Sequence, residues 1–219
     1  MKTAAIIPAL NEFKQLSQVI RSVQPQVDMV IVVDDGSSEP LAEHLGNLEH
    51  VIVLRHIINL GKGAALKTGV EYAIEHGAEA VVFLDGDGQH DPAEVTTLLA
   101  PLKSNQADIV FGVRPFHTSM PFVAKAGNMF LSKMLTILFG IGVSDTQSGY
   151  RAFRTAVYPQ LRWESPRYSV ETEMIVNAGK HHLRFVEVRI STIYLDQYRG
   201  TTVLDGIRIF LNMISWRIL

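Results

Sequence analysis

The sequence predicts an α/β fold built on a Rossmann-like, mostly parallel sheet flanked by helices. Three observations predict it. Short β-branched runs alternate with segments of helical period through the first half of the chain. Each run ends in a loop rich in Asp, Asn and Gly, as expected where ligands bind beyond the carboxyl ends of parallel strands. A chain of 219 residues, 47% hydrophobic and 19% charged, can bury one continuous core.

The elements follow in order. Strands are expected near Thr3–Ile7, Met29–Val33, Val51–Leu54, Ala80–Leu84 and Asp108–Gly112. Leu16, Val19, Ile20 and Val23 recur at helical spacing after the first strand; Ala65, Val70, Ala73 and Ile74 do so less strictly after the third. Beyond Gly112 the rhythm changes. A helix from about Pro121 to Phe139 leads into an irregular GVSDTQSGYRAF, then a helix near Val170–Ala178, a strand Arg184–Ile190 and a final helix from about Leu204. On that last helix Ile207, Phe210, Leu211, Ile214 and Ile218 share one side, and Asp205, Arg208, Asn212 and Ser215 the other.

Composition excludes several chemistries. With no cysteine there is no disulfide, thiolate zinc site or cysteine nucleophile, which fits a reducing compartment. The opening MKTAAIIPALNE is apolar only briefly and is broken by Pro8, so no signal peptide is expected. No run reaches the roughly 20 apolar residues of a spanning helix, and a cytoplasmic location is expected. A net charge of -2 argues against a nucleic-acid partner. The charge is uneven: residues 1–150 hold 10 basic and 16 acidic side chains, residues 151–219 hold 10 and 6. The basic third would suit an anionic ligand or membrane surface, or is ordinary surface scatter.

The loops carry the chemistry. In VVFLDGDGQHDP, Asp85 and Asp87 stand one residue apart at a strand end, with Gln89 as a neutral third oxygen donor, a set that suits Mg2+ or Mn2+ bridging a diphosphate. An EF-hand reading fails, because its sixth position would be His90 and its twelfth Thr96. Asp91, Pro92 and Glu94 read as a helix cap, which leaves the Asp85 and Asp87 pair to another purpose. In VVDDGSSE, Asp34 and Asp35 either form a turn or accept hydrogen bonds from a base or ribose. NLGKGAALKTG lacks the spacing of a Walker loop, and Leu66 replaces the third glycine of a dinucleotide loop; Lys62 and the backbone N–H groups of a helix start remain as an anion contact. In SDTQSGYRAFR, Asp145 is a candidate general base and Arg151 a candidate phosphate ligand. His181 and His182 are neighbours without metal-ligand spacing and read as a solvated pair.

Taken in order, IIPALNE, VVDDGSSE, NLGKGAALKTG, VFLDGDGQHDP, SDTQSGYRAFR and ETEM followed by VEVRISTIYLD resemble glycosyltransferase family two over nearly the whole chain. Within it they resemble the branch related to dolichol- and polyprenyl-phosphate mannose and glucose synthases. The resemblance implies a GT-A fold, a GDP- or UDP-linked hexose donor, a divalent metal, inversion at the anomeric carbon and a polyprenyl phosphate acceptor. It places Pro8, Ala9, Glu12 and Asp35 at the nucleoside and Asp85, Asp87 and Gln89 around Mg2+ or Mn2+, and the anion contact read at Lys62 joins Asp85 as a donor-binding candidate. Arg114, Ser148, Arg151 and Glu173 fall at the acceptor, and Asp87, Asp145 and Arg151 are the expected catalytic residues. The implied organisation is a single domain, with a nucleotide-sugar half over 1–112 and an acceptor half over 113–219 ending in the amphipathic helix. That helix is expected to touch the cytoplasmic face of a membrane, or else to pack on the domain or on a second copy in a homo-oligomer.

The sequence also departs from the pattern. Many relatives place an Arg and a Lys after the last strand, where this chain reads YLDQYRGTTVLDG, with Gln197 near the arginine position and Arg199 as a substitute. Two alternatives stand beside the leading reading: the same donor chemistry with a saccharide hydroxyl acceptor, and a nucleotide-sugar-binding module without turnover.

Overall fold

The structure, a computed structural model, describes residues 1–46, 50–115, 122–166, 169–191 and 203–218. Its strands and helices are β1 (Thr3–Ala9), α1 (Leu16–Val23), β2 (Met29–Asp34), α2 (Leu41–His44), β3 (Val51–Arg55), α3 (Lys62–Glu75), β4 (Ala80–Phe83) and α4 (Val95–Lys103). The second half adds β5 (Ile109–Val113), α5 (Phe122–Phe139), β6 (Arg151–Arg154), α6 (Tyr158–Leu161), α7 (Val170–Lys180), β7 (Phe185–Arg189) and α8 (Val203–Ile218).

Among the described residues, seven strands form one sheet in the order β3-β2-β1-β4-β6-β5-β7. Neighbours run parallel except β6, which is antiparallel to both β4 and β5. The chain winds outward from β1 to β3, then returns to lay β4 on the other side of β1. That reversal opens a crevice beyond the ends of β1 and β4, where an α/β sheet binds ligands.

Strand alternation feeds two cores. Ala5, Ile7, Val30, Val32 and Val82 pack under α1 and α4, and all four predicted residues of α1 are buried there. Ala4, Ile6, Ile31, Val33 and Phe83 pack on the opposite face with side chains of α3, α5, α7 and α8. In α3 the buried stripe is Ala65, Leu66, Gly69, Val70 and Ala73, and Ile74 is exposed instead. One residue past Ala73, it is rotated about 100° from the stripe. Gly69 lets α3 close on the sheet, since a Cβ there would come within 2.5 Å of Ile6 Cγ2.

Two elements differ from expectation. The irregular GVSDTQSGYRAF contains β6, which fills the gap between β4 and β5 and pairs Arg151 with Phe83 on one side and Phe111 on the other. Four residues flanked by arginines carry no alternating apolar signal. In α8 the core-facing residues are Ile209 and Met213, while Ile207, Leu211 and Ile214 are exposed and Phe210 is half-buried. The segment holding Gln197 and Arg199, and the side chains of Asp205 and Ile218, lie outside the described residues.

Candidate active site

An open cleft of about 460 Å³ lies at the switch point. Pro8 and Ala9 end β1 and continue into Leu10 and Glu12; Asp35 follows β2; Asn59, Gly61 and Lys62 lead into α3; Asp85, Gly86 and Asp87 follow β4. Every one of these residues lies in the first half of the chain. Gln89 sits on the same turn, its backbone N–H donated to Asp87 Oδ1 at 3.0 Å.

Asp35 is buried, and its carboxylate organises the loop before α3. Oδ1 accepts from His56 Nδ1 at 2.7 Å and from the Leu60 N–H at 3.0 Å, and Oδ2 accepts from the Gly61 N–H at 2.8 Å. A carboxylate offers about four lone-pair sites, so one remains toward the cleft. Asp34, by contrast, is wholly internal and accepts from the Ser37 and Leu41 N–H groups, which makes it a turn and helix cap. Asp91 accepts from the Ala93 N–H as a cap should, but Glu94 reaches the Ser191 N–H instead of closing the capping box.

At the N-terminus of α3 two of the free N–H groups are already used. Its Gly63 and Ala64 N–H groups both donate to Pro166 O, at 2.8 and 3.3 Å. Gly63 is required for that approach, because a Cβ would stand 2.1 Å from Ser165 O. What this helix start presents is the Lys62 side chain, with Nζ 2.6 Å from Asp85 Oδ1 and 3.0 Å from Glu171 Oε1. Burial opposes the ammonium, yet Asp85 and Glu171 overcome it and hold its pKa above the usual lysine range. Burial likewise opposes the Asp85 carboxylate, and the charge of Lys62 outweighs it and keeps Asp85 ionised. His90 is buried and neutral: Nδ1 accepts the Asp85 N–H at 3.1 Å, and burial lowers its pKa. Asp87 goes the other way, raised by burial and by the charge of Asp85.

That last imbalance tests the expected metal. Asp85 and Asp87 are adjacent carboxylates whose mutual repulsion a hard cation would relieve, and two carboxylates with diphosphate oxygens and water suffice for Mg2+ or Mn2+. Among the described residues no group of three His, Asp or Glu side chains forms a complete site, so the substrate would have to complete it. The donor set fits the ion on those terms.

In the second half the expected residues have protein partners. Arg151 is 1% exposed, and its guanidinium donates to the carbonyls of Ser148, Thr146 and Glu171 while lying 5.1 Å from the Phe111 ring centroid. It locks the loop and the start of α7, with each of its three nitrogens bonded to a backbone carbonyl. Ser148 is buried under the same loop, with Oγ accepting from the Tyr150 N–H at 3.4 Å. Glu173 accepts the Glu164 and Ser165 N–H groups, both at 2.8 Å, and is not among the residues that line the cleft. The carboxylate facing the site is Glu171, two residues earlier and so about 200° around the helix. Asp145 is gripped by Arg114, whose hydrogen bond and charge outweigh burial and hold its carboxyl below the usual range, a poor setting for a base. Arg114 itself is half-buried and close enough to lower the Asp85 pKa by its charge.

Three contributors escaped the sequence reading besides Glu171. Asn59 lines the cleft as the first residue of NLGKGAALKTG, a segment in which only Lys62 and the backbone N–H groups drew attention. Asn128 on α5 shapes the 144–146 loop, its amide donating to Ser144 O and its oxygen accepting from Thr146. Gly149 packs directly on the Lys62 and Asp85 pair. The signal for Gly149 was present, since a glycine inside a polar loop often marks close approach.

The chain matches glycosyl transferase family 2 over residues 4–162. It is 34% identical over 95% of its length to the UDP-N-acetylglucosamine–dolichyl-phosphate N-acetylglucosaminyltransferase of Methanococcus voltae, covering 93% of that protein. It is 27% identical over 94% of its length to the undecaprenyl-phosphate mannosyltransferase of Micrococcus luteus, covering 88% of it. The backbone is similar, with a TM-score of 0.76 and 20% identity, to glucosyl-3-phosphoglycerate synthase of Mycobacterium tuberculosis solved with Mn2+, UDP-glucose and phosphoglyceric acid, over 100% of this chain and 80% of that one. That likeness carries the fold, which is GT-A. The protein is a glycosyltransferase and belongs to glycosyl transferase family 2, in the branch of polyprenyl-phosphate sugar transferases.

Proposed function

We propose that the protein transfers a sugar of the hexose class from a UDP-linked donor to a polyprenyl phosphate, with inversion at the anomeric carbon. UDP is favoured over GDP because the Methanococcus voltae relative is named for a UDP-linked donor. The nucleoside lies along Pro8, Ala9, Glu12 and Asp35, and the diphosphate lies toward Lys62, Asp85 and Asp87. A divalent ion held by Asp85 and Asp87, with Gln89 beside them, would neutralise the charge that develops on the departing diphosphate. Lys62 adds a second cation at the same place. The acceptor oxygen approaches the opposite face of the sugar from the second half of the chain, where Arg114 supplies positive charge.

The observation that carries the lipid acceptor is the outward face of α8. Ile209 and Met213 already anchor that helix, so Ile207, Leu211 and Ile214 are not needed by the core. They continue onto α5, whose Met129 and Phe130 are also exposed and whose Phe130 ring lies 5.3 Å from that of Phe210. Lys133, Arg208 and Arg217 on the same two helices would suit anionic headgroups. Asn212, on the other side of α8, donates to Ser169 Oγ at the start of α7, which ties this helix to the element that presents Glu171. Among the described residues no helix is long and apolar enough to cross a membrane, and the proposed contact is peripheral, on the cytoplasmic leaflet. The clamped Asp145 supports the same acceptor, because a phosphate oxygen is ionised near neutral pH and needs no base, whereas a sugar hydroxyl does.

The test incubates the protein with Mn2+, a panel of UDP- and GDP-sugars, and polyprenyl phosphate in liposomes. A lipid-linked sugar with release of UDP is expected. Transfer to a soluble saccharide alone would remove the lipid acceptor from the reading, and turnover only with GDP-sugars would reverse the donor assignment.

A further inference from the structure

Lys62 occupies a place where a helix does not favour a cation. It is the first residue of α3, at the positive end of the helix dipole. Two carboxylates compensate, and the three groups are graded in depth: the Asp85 side chain is 30% exposed, Lys62 19% and Glu171 7%. Gly149 closes the remaining side, since a Cβ there would stand 2.7 Å from Lys62 Nζ and 3.1 Å from Asp85 Oδ2. The ammonium therefore has two seats, an outer one on Asp85 and an inner one on Glu171, and it already touches both.

With Lys62 Nζ 2.6 Å from Asp85 Oδ1, a divalent cation on either oxygen of that carboxylate would stand within a few ångström of the ammonium. Ammonium and metal repel one another at such a distance, so one must give way. We propose that Lys62 is an internal counter-ion to Asp85 whenever no divalent cation is bound, and that Glu171 is the positioning residue that draws it inward when one arrives. The inference rests on the reading of Asp85 as a metal ligand. The exchange needs no rebuilding of the site, because the Lys62 to Glu171 contact is already made at 3.0 Å. With the ammonium displaced inward and not expelled, the adjacent carboxylates are never bare without a metal, and with one the site keeps its second cation.

Mn2+ binding to the free protein, without nucleotide, can be titrated by electron paramagnetic resonance, with melting curves as a control for folding. Lys62→Met is expected to raise Mn2+ affinity roughly tenfold, by freeing Asp85. Glu171→Gln is expected to lower it by roughly the same factor, because Lys62 then has no seat but Asp85. The decisive measurement is the double variant: once Lys62 is Met, Glu171→Gln should change Mn2+ affinity no further. Lys62→Gln repeats the series if the Met variant melts early. An equal weakening by Glu171→Gln in both backgrounds would show that Glu171 acts on the metal directly, and it would overturn the exchange, as would unchanged affinity in Lys62→Met. Asp85→Asn separates the layers: if it leaves Mn2+ affinity intact, the metal assignment beneath the inference is what fails.

Discussion

Arg114 holds Asp145 in a two-pronged ion pair, with Nε 2.6 Å from Oδ2 and Nη2 3.0 Å from Oδ1. The pair joins the end of β5 to the loop before β6 and depresses the Asp145 pKa below its ordinary 3.8. A carboxyl with a depressed folded-state pKa stabilises the protein above its unfolded value and loses that contribution as pH falls through the folded value. Asp145→Asn should therefore cost about 1.5–3 kcal/mol near neutral pH. The gap between parent and variant should narrow below about pH 4 in urea unfolding. A gap that stays constant with pH would mean that the charge contributes nothing.

Asp87→Ala should lower metal-dependent turnover on the order of 100-fold or more. Its thermal midpoint should match or exceed that of the parent, because a half-buried loop carboxylate raised by its neighbour Asp85 is no asset to folding. Activity and melting measured on the same preparation decide it. Full turnover with Ala at this position would end the metal assignment.

Gly149→Ala tests the packing of the loop on the ion pair. A methyl group 2.7 Å from Lys62 Nζ forces either the lysine or the loop to move, at about 1–3 kcal/mol and with a marked loss of turnover. Gly127→Ala, on α5 with nothing within 4 Å, is the matched control and should be neutral or slightly stabilising. Equal behaviour of the two variants would show that the loop tolerates the methyl.

Asp35→Ala removes one carboxylate from three protein donors as well as from the cleft. Both nucleotide affinity and stability should fall, the latter by about 2–4 kcal/mol, since the Gly61 N–H is left buried and unpaired. Calorimetry with UDP and a melting curve separate the two effects. Unchanged UDP affinity in a folded variant would place Asp35 behind the site and not in it.

Leu211→Glu and Ile214→Glu should weaken binding to liposomes of anionic lipid by about tenfold at low salt, with melting temperatures unchanged because neither side chain is in the core. Phe210 is a poorer probe, since it is half-buried against α5. If the parent binds no liposomes and its mass rises with concentration, the face belongs to a second copy of the chain.

The parallel strands were legible because each carries its own signal. Met29–Asp34 is a continuous β-branched run closed by a turn, and Leu16, Val19, Ile20 and Val23 mark their helix by spacing alone. The positions of Asp35, Lys62, Asp85 and Asp87 at the cleft followed from the same logic, since parallel strands deliver their terminal loops to one edge. The strand β6 was hidden because its stability comes from β4 and β5 on either side and not from its own four residues.

By itself, then, the sequence determined what local period and turn chemistry can encode: the α/β class, the strand ends, and the acidic and glycine-rich loops that share an edge. Tertiary structure alone decided partnership. It tied Arg114 to Asp145, turned Arg151 into an internal brace, put Glu171 on Lys62 and Glu173 on the Glu164 and Ser165 backbone, and so set Lys62 between two carboxylates. The physical reason is that a charged side chain advertises only its charge, whereas its role depends on which other charges, carbonyls and N–H groups packing brings within about 3 Å, from segments that can lie a hundred residues away in the chain.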